Sequence, residues 1–361
     1  LLHRRLRVQH RHVRSHGPLP LLAREQAPSG GAVALDGLHL APPGLADAQA
    51  QSLARQFKKQ RAAEDHPGVD VHGDYREMLE RDDLEVVSVV APNMLHYEMG
   101  MAVLESGKHL LLEKPMALTV AECDRLVELA ERGQRILAVG HELRLSSLWG
   151  RVKQLIEEGA IGRVQHVLVE LSRFPYRPGS DGWRYDQERV GSWILEEPIH
   201  FFDLARWYLE ESGDPVSIYA RANSRDPARP RLADNFSAIV NYPDGAYALV
   251  SQSLSAFGHH QMAKVVGTEG AIWADWGAAD ARSGESHFGL RYGLGDNVTE
   301  VELKEDAGEL VELAREIDAV AESIRSGMAA PCSGTDGRWS TLLCLAADQS
   351  VQSGQLVMLD K

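Results

Sequence analysis

Two adjacent carboxylates, a histidine and a third carboxylate occur within eight residues of an otherwise apolar segment: Glu196, Glu197, His200 and Asp203. Carboxyl and imidazole groups that share a partly buried cleft acquire shifted pKa values, which suits them to proton transfer. Pro198 is favoured at the first position of a helix, so both glutamates are predicted just before that helix and His200 and Asp203 on one of its faces. A capped amphipathic helix with a structurally satisfied histidine is the alternative interpretation.

The end of a valine-rich segment forms a second candidate site. LEVVSVVA, residues 84–91, predicts a buried parallel strand that leads into Pro92, Asn93 and His96. Ligands bind at the carboxyl ends of the strands of an open parallel sheet, and a helix N-terminus there suits a phosphate or a ribose. Asn93 acting only as a helix N-cap is the structural alternative.

The strand predicted next along the chain, residues 108–112, ends at Glu113 and Lys114. A lysine in this place would lie at the rim of the same cleft, where its charge could orient a substrate oxygen. A Glu-Lys pair beside a turn proline is also ordinary surface composition. The position after a parallel strand, rather than the tripeptide itself, therefore favours a functional role.

The elements that would position these residues change character near Gly140. Strand and helix segments alternate over residues 46–140, starting with a helix at 46–63, and predict an α/β architecture with a Rossmann-type parallel sheet. Longer strands joined by short turns predict an α+β domain with an open, mainly antiparallel sheet over residues 141–335. A helix and tail at 336–361 are expected to pack back on the first domain.

The composition excludes several classes of protein. The chain of 361 residues is long enough for two globular domains, and its formal charge of -14 opposes binding to nucleic acid or to an anionic membrane. Three cysteines without a CxxC motif argue against a disulfide framework. No apolar run reaches the roughly 18 residues of a spanning helix, so we expect a cytoplasmic protein. Its expected partner, a small molecule, is a separate expectation that depends on the family resemblance described below.

Residues 1–45 differ from the rest of the chain. Six arginines against Glu25 and Asp36 give them a charge of +4, while the remaining residues carry -18. Five prolines and five glycines interrupt this segment, which shows neither strand alternation nor helical periodicity. A basic disordered tail is one interpretation, and a mitochondrial transit peptide is a weaker one because serines are few.

Together these motifs resemble the glucose-fructose oxidoreductase and inositol dehydrogenase family, Gfo/Idh/MocA. The resemblance extends from about Asp47 to the C-terminus, and the order of the motifs makes it specific where each motif alone would be weak. The matching segments are Asp74-Tyr75, Ala91-Pro92-Asn93 with His96, Ala102 to His109, Glu113-Lys114-Pro115, Gly159 to Arg163, His200 with Asp203 to Trp207, and Asp336-Gly337.

This resemblance implies a Rossmann domain that holds NAD or NADP, and an NAD(P)-dependent oxidoreductase that acts on a hydroxyl-bearing carbon of a sugar, polyol or inositol. Lys114 matches the lysine that contacts substrate and cofactor, and His200 matches the catalytic histidine. Glu196 stands where many members have an aspartate, and we expect it to orient His200, with Glu197 as the alternative. The positions that line the dinucleotide correspond to Pro92, Asn93, His96, Glu113 and Lys114.

The resemblance also implies a homo-oligomer formed through the C-terminal sheet. Two functional alternatives stay open: an NAD-dependent glycosidase-type member of the same family, and a non-catalytic ligand-binding or scaffold homologue. We expect no bound metal, because a zinc site built from these ligands would lack the HExxH spacing. The candidate substrate contacts are Arg144, Tyr176, Trp183, Tyr185, Glu197 and Asp203.

The first strand of the family and its GxGxxG turn, which brings backbone amides to the cofactor pyrophosphate, are expected within residues 1–45. No such motif occurs there. Asp47 is the candidate acid for the adenine ribose. We hypothesise that residues 1–45 are a shifted-frame translation of a normal nucleotide-binding segment, which the other reading frames of the gene would test. A tail or a divergent strand-helix unit is the alternative.

Overall fold

The computed structural model describes residues 32–34, 60–61, 63–229, 232–281, 285–303 and 305–359. The chain divides into two units after Val87. Asp47, most of the basic segment 1–45 and most of the helix expected at 46–63 lie outside the described residues. The shifted-frame hypothesis therefore stays a prediction.

In the first unit, a short parallel sheet pairs β1 (Ala32–Ala34) with β2 (Asp70–His72). Helix α1 (Tyr75–Leu79) follows, capped by Asp74, whose carboxylate accepts a hydrogen bond of 2.9 Å from a backbone N–H of the first turn. Strand β1 lies within residues 1–45, whose sequence shows no strand alternation. Three residues are too few to show alternation, and β2 supplies the hydrogen-bond partners that form the strand.

A three-stranded sheet with connecting helices comes next, in the strand order β3, β4, β5, and β4 and β5 pair in parallel. This alternation confirms the predicted Rossmann-type architecture. The elements are β3 (Val86–Val89), α2 (His96–Glu105), β4 (His109–Glu113), α3 (Val120–Gly133) and β5 (Leu137–Gly140).

Strand β3 is covered on one face rather than on both, contrary to the prediction of a fully buried strand. Val87 and Val89 are buried, whereas Val86 and Val90 on the opposite face are exposed. The leucines of β4 are all buried, so the centre of this sheet carries the continuous apolar run that a parallel sheet requires.

A nine-stranded sheet forms the larger part of the second unit. Its strands are β6 (Val164–Arg173), β7 (Ser217–Asn223), β8 (Asn235–Asn241), β9 (Tyr247–Ser253), β10 (His259–Gly267), β11 (Ala271–Ala278), β12 (Ser286–Leu294), β13 (Asn297–Glu300) and β14 (Val357–Met358). The order is β13-β12-β11-β10-β6-β9-β8-β7-β14, and neighbours are antiparallel except β6 and β9, which are parallel. The predicted open, mainly antiparallel sheet is confirmed.

Helices pack on one face of this sheet. Pro198 occupies the first turn of α6, as predicted, and Phe202 of the same helix meets Phe236 of β8 with ring centroids 6.0 Å apart. No helix in the described part of the chain is both long enough and apolar enough to cross a membrane. The helices are α4 (Trp149–Glu157), α5 (Gln187–Val190), α6 (Pro198–Tyr208), α7 (Glu309–Ser326) and α8 (Gly334–Ser353).

The C-terminal helix α8 lies against β5. The backbone N–H of Val139 donates to the carbonyl of Cys332 at 3.0 Å, just before α8 begins. Gly337, in the first turns of α8, approaches β5 so closely that a Cβ atom there would lie 2.6 Å from Cγ2 of Val139. The absence of a side chain at Gly337 thus allows helix and strand to pack in direct contact.

We expect Gly337→Ala to lower the free energy of unfolding by about 1 to 3 kcal/mol, because the added methyl group must push α8 away from β5. Urea denaturation measures this change. Gly133→Ala is the control, since the nearest atom to its added Cβ is Cγ of Arg135 at 3.6 Å, an ordinary contact distance. Equal stability of the two variants would contradict the close packing of α8 on β5.

Candidate active site

The loops that follow β3 and β4 meet the segment that precedes α6. Lys114, directly after β4, donates from Nζ to the backbone carbonyl of Glu196 at 2.6 Å. Asn93, after β3, donates from Nδ2 to the Glu196 carboxylate at 2.9 Å and to the carbonyl of Val190 at 3.2 Å. The carboxyl edge of the parallel sheet therefore brings Asn93 and Lys114 to the start of the helix that carries His200.

Asn93 is not the side-chain cap that the sequence allowed. It begins a single 3₁₀ turn, Asn93–Leu95, that follows Pro92 and has no side-chain cap within the described ranges. The Asn93 amide is buried and crosses to the α6 segment instead. The backbone N–H groups of this turn stand at a helix N-terminus, where they suit a phosphate or ribose oxygen.

His96 joins the ends of β3 and β4. Its Nδ1 lies 2.6 Å from the carbonyl oxygen of Pro115, and its Nε2 lies 2.7 Å from that of Ala91. Burial lowers the pKa of His96. Because the backbone engages both ring nitrogens, His96 holds the loop that positions Lys114. Its place in the lining of the dinucleotide site stays a prediction.

The roles of the paired glutamates also need correction. The two carboxylate oxygens of Glu196 accept from Asn93 Nδ2 at 2.9 Å and from Arg184 Nε at 2.8 Å. The Glu197 carboxylate accepts from Arg173. Both glutamates precede the helix and turn to neighbouring segments, so neither orients His200 as the resemblance implied. It stays a prediction that Glu196 and Glu197 contribute to catalysis by shaping the site and setting its charge.

His200 lies in the first turn of α6 and is buried. Its ring meets that of His141 edge to face, with centroids 5.3 Å apart, and its Nδ1 lies 3.5 Å from Oε2 of Glu142. Burial lowers the pKa of His200 well below the ordinary histidine value, and the charge of Lys114 lowers it further. At neutral pH the imidazole is uncharged.

Arg144 and Asp203, expected among the substrate contacts, form a buried ion pair instead. Arg144 Nε and Nη2 each donate to a separate Asp203 oxygen at 2.7 Å. Arg144 Nη1 donates to the carbonyl of Pro331 at 3.0 Å and lies 3.4 Å from Asp336 Oδ2. The bidentate geometry engages both carboxylate oxygens of Asp203. A substrate role for this pair stays a prediction.

The three aromatic residues predicted to contact substrate belong to a small apolar cluster. The hydroxyl of Tyr176 donates to Gln252 Oε1 at 2.8 Å, and that of Tyr185 donates to the carbonyl of Tyr176 at 2.8 Å. Trp183 is buried in the same cluster. The hydroxyl groups of both tyrosines are thus satisfied within the fold. Substrate contact by these three residues stays a prediction.

Sequence analysis missed a group of buried acids beside the candidate base. Glu142 starts the turn that follows β5, and Glu312 and Glu316 lie on α7. Burial raises the pKa of Glu142 and of Glu316 well above the ordinary value, and raises that of Glu312 to about 7. Lys114 was selected because it follows the end of a parallel strand. Glu142 lies in the turn after β5, so the same rule could have identified it.

Comparison with known families is consistent with this fold and site. Residues 43–141 match the family described as "Oxidoreductase family, NAD-binding Rossmann fold", and residues 149–273 match the "GFO/IDH/MocA C-terminal domain". The two matches together span more than half of the chain. The first includes Asn93 and Lys114, and the second includes His200. The protein is thus of the oxidoreductase class with an NAD-binding Rossmann fold. It belongs to the Gfo/Idh/MocA family.

Individual relatives act on cyclic polyols and sugars. The chain is 27% identical over 295 residues to a myo-inositol 2-dehydrogenase of Thermotoga maritima, covering 80% of this chain and 84% of that protein. It is 27% identical over 286 residues to a 1,5-anhydro-D-fructose reductase of Ensifer adhaerens, covering 79% and 82%. Levoglucosan dehydrogenase in complex with NADH and levoglucosan shares the fold, with a TM-score of 0.73, 22% identity and coverage of 92% and 91%.

The family implies a cofactor of the NAD(P) class, and the described residues fit its nicotinamide end. The uncapped turn Asn93–Leu95 offers backbone N–H donors at a strand end, and Lys114 offers a cation beside it. Pro92 and Glu113 adjoin these two groups, and their assignment to the dinucleotide site stays a prediction. For the pyrophosphate, the sequence of residues 1–45 offers no GxGxxG turn.

We expect Arg144→Gln to lower the free energy of unfolding by about 3 to 5 kcal/mol at pH 7, because it leaves the buried Asp203 carboxylate unpaired. Burial by itself would raise the pKa of Asp203 and Asp336. The charges of Arg144 and His141 and the Arg144 hydrogen bonds together outweigh burial at Asp203, and Arg144, Ser333 and Arg206 together outweigh it at Asp336, so both pKa values are lowered, that of Asp336 to about 2. This stabilisation is therefore present above the unfolded-state pKa and is lost as pH falls through the folded-state pKa.

Denaturation of wild type and Arg144→Gln between pH 7 and pH 2 tests this expectation, and the difference between them should shrink below about pH 4. Arg151→Gln, which removes a more exposed pair with Glu158, is the control and should change stability by less than about 1 kcal/mol. A stability difference that is the same at pH 7 and pH 3 would contradict the assigned ion pair.

Proposed function

We propose that the chain transfers a hydride between a nicotinamide and a hydroxyl-bearing carbon of a cyclic polyol, a sugar or a related small molecule. The proposal rests on one observation: an uncharged, buried histidine stands near a lysine at the carboxyl edge of an NAD-binding type of sheet. The names of the relatives, which act on inositol and on anhydro sugars, favour this class of substrate.

His200 is the proposed base in the direction of alcohol oxidation. A neutral imidazole can accept the hydroxyl proton at one ring nitrogen while the other ring nitrogen carries a hydrogen atom. Lys114 is the proposed electrostatic partner: its ammonium group would stabilise the negative charge that develops on the substrate oxygen as the proton leaves. The Glu196 carbonyl, at 2.6 Å from Lys114 Nζ, fixes the position of that charge.

NAD or NADP, when bound, supplies the carbon that accepts or donates the hydride. Asn93 and Lys114 are the residues we propose to hold its nicotinamide end. Asn93 is well placed for this because its side chain is fixed by two hydrogen bonds to the α6 segment, so its backbone presents a rigid helix N-terminus to the cofactor.

Replacement of Lys114 by Ala should lower turnover at least tenfold, about the loss expected when a preorganised charge beside a reacting oxygen is removed. Turnover is measured by NAD(P)H absorbance on inositols and anhydro sugars, and dinucleotide affinity by tryptophan fluorescence. We expect the dinucleotide still to bind, but more weakly, because Asn93 remains to hold its nicotinamide end. Arg132→Ala, at the exposed end of α3, is the control for loss of a cation. Unchanged turnover in Lys114→Ala would refute the role of this lysine.

We also propose that the outer face of the nine-stranded sheet forms a dimer interface. Large apolar side chains on this face are partly exposed, among them Ile239, Tyr247 and Trp273. Trp273 lies between two cations, with Lys264 Nζ 4.8 Å and Arg291 Cζ 5.0 Å from its ring centroid. Aromatic and arginine side chains on an apolar surface are typical of protein interfaces.

Light scattering tests this interface. We expect the wild-type protein to be at least a dimer and Trp273→Glu to shift it toward the monomer, because the substitution places a charge in an apolar contact. Phe257→Glu is the control, since Phe257 is 94% exposed in the loop between β9 and β10. A wild-type monomer, or a dimer unaffected by Trp273→Glu, would contradict the proposed interface.

A further inference from the structure

We propose that Glu142 is the proton partner of His200: its carboxylate takes the Nδ1 proton when Nε2 of the same ring takes the proton of the substrate hydroxyl. The inference deepens the proposed function and rests on it. Glu142 is a positioning residue in this scheme, because it acts on the substrate only through the imidazole.

The contact between the two side chains is the basis of the proposal. Oε2 of Glu142 is 3.5 Å from Nδ1 of His200, and that nitrogen has no hydrogen-bond partner in the described part of the chain. A small rotation of either side chain would bring the two atoms to hydrogen-bond distance. The Glu142 side chain is 12% exposed and that of His200 is 7% exposed, so little bulk water competes for this contact.

The surroundings of His200 explain why it needs such a partner. Burial lowers the pKa of His200, and Lys114 and His141 lower it further. A base with a strongly lowered pKa accepts a proton poorly, and an imidazolium ion here would lie in a buried site near the Lys114 ammonium. Passing the second ring proton onward keeps the imidazole neutral throughout the reaction.

The groups that face Glu142 favour its protonated form. Burial raises the pKa of Glu142 well above its ordinary value, and Glu316 raises it further. Glu113 at the end of β4 and Glu312 on α7 act in the same direction, whereas Lys114 opposes them. With three acids and one cation around it, Glu142 is suited to hold the proton that His200 releases, and the two residues titrate as a pair.

The proton balance for alcohol oxidation starts with Glu142 ionised and His200 in its Nδ1–H tautomer. The substrate O–H bond breaks and its proton binds Nε2, while the electron pair of the C–H bond leaves with the hydride for the nicotinamide. The Nδ1 proton passes to Glu142, so the pair ends as a neutral acid beside the Nε2–H tautomer. Carbonyl reduction uses the same transfers in reverse.

This scheme makes the tautomer of His200 depend on the charge of Glu142. Ionised Glu142 accepts from Nδ1–H and leaves Nε2 free to accept a proton, which suits oxidation. Protonated Glu142 donates to Nδ1 and leaves a proton on Nε2, which suits reduction. Oxidation should therefore increase as pH rises through the raised pKa of Glu142, and reduction should decrease.

Histidine-ring ¹⁵N NMR tests the pairing without any need for turnover. In protein labelled at the histidine ring nitrogens, with His200 assigned from a His200→Asn variant, we expect the tautomer of His200 to change with pH in wild type. In Glu142→Gln this change should disappear, because an amide does not titrate. Glu312→Gln removes another buried acid, on α7, which accepts a hydrogen bond from the backbone N–H of Gly308, and this variant should preserve the change.

Kinetics provide the second readout. In Glu142→Gln we expect the maximal rate of alcohol oxidation to fall by about 10- to 100-fold, less than the roughly 100- to 10,000-fold typical of general acid–base catalysis, because His200 itself remains. The pH at which oxidation is half-maximal should move down, because the lowered pKa of His200 alone then governs it. Glu142→Asp, which keeps the charge but shortens the side chain, should restore part of the rate.

The outcomes separate this inference from the proposed function. A tautomer change that persists in Glu142→Gln, or a pH profile of oxidation that does not move, would overturn the role of Glu142. A tautomer change that depends on Glu142 in a protein without hydride transfer on any tested alcohol would support the pairing and overturn the proposed function.

Discussion

The buried ion pair between Arg144 and Asp203 joins the segments on which the site depends. Arg144 lies in the turn after β5, two residues beyond Glu142, and Asp203 lies one turn beyond His200 on α6. The 2.7 Å contacts between them therefore set how closely the end of β5 approaches this helix. The third guanidinium contact, to Pro331, extends the same connection to the segment before α8.

This arrangement explains why charges can be buried around the candidate base. The ion pair neutralises itself, so Lys114 and the acids Glu113, Glu142 and Glu316 supply the other charges near the candidate base. Low solvent exposure strengthens each of these interactions. It also lowers the pKa of a buried imidazole and raises the pKa of a buried carboxyl group. A site that pairs a neutral histidine with a glutamate of raised pKa can pass a proton between them without forming a buried imidazolium ion.

Much of the architecture follows from local sequence signals. The valine-rich segment 84–91 and the alternation of strand and helix segments predicted the parallel sheet, and Pro198 predicted the start of α6. Lys114 was found by its position after a strand. These features depend on residues near one another in the chain, which is why pattern and propensity suffice.

The errors concern partners that are distant in sequence. Glu196 was matched to His200 by its spacing, but Asn93 and Arg184 reach it from other segments, and Glu142 reaches His200 from across 58 positions. His200 and Asp203 share a helical face, as predicted, yet Asp203 bonds Arg144 and His200 faces Glu142. Sequence spacing indicates which side chains lie on the same face of a helix, whereas tertiary packing decides which residues each of them contacts.

A crystal structure of the protein with NADH tests the central claim most directly, since it shows whether the reacting carbon reaches these residues. We expect the nicotinamide ring to lie against the loop after β4, with its C4 atom facing the space between Lys114 Nζ and His200 Nε2. NADH bound with its nicotinamide away from these two side chains, or no bound NADH at a saturating concentration, would contradict the assignment of this site.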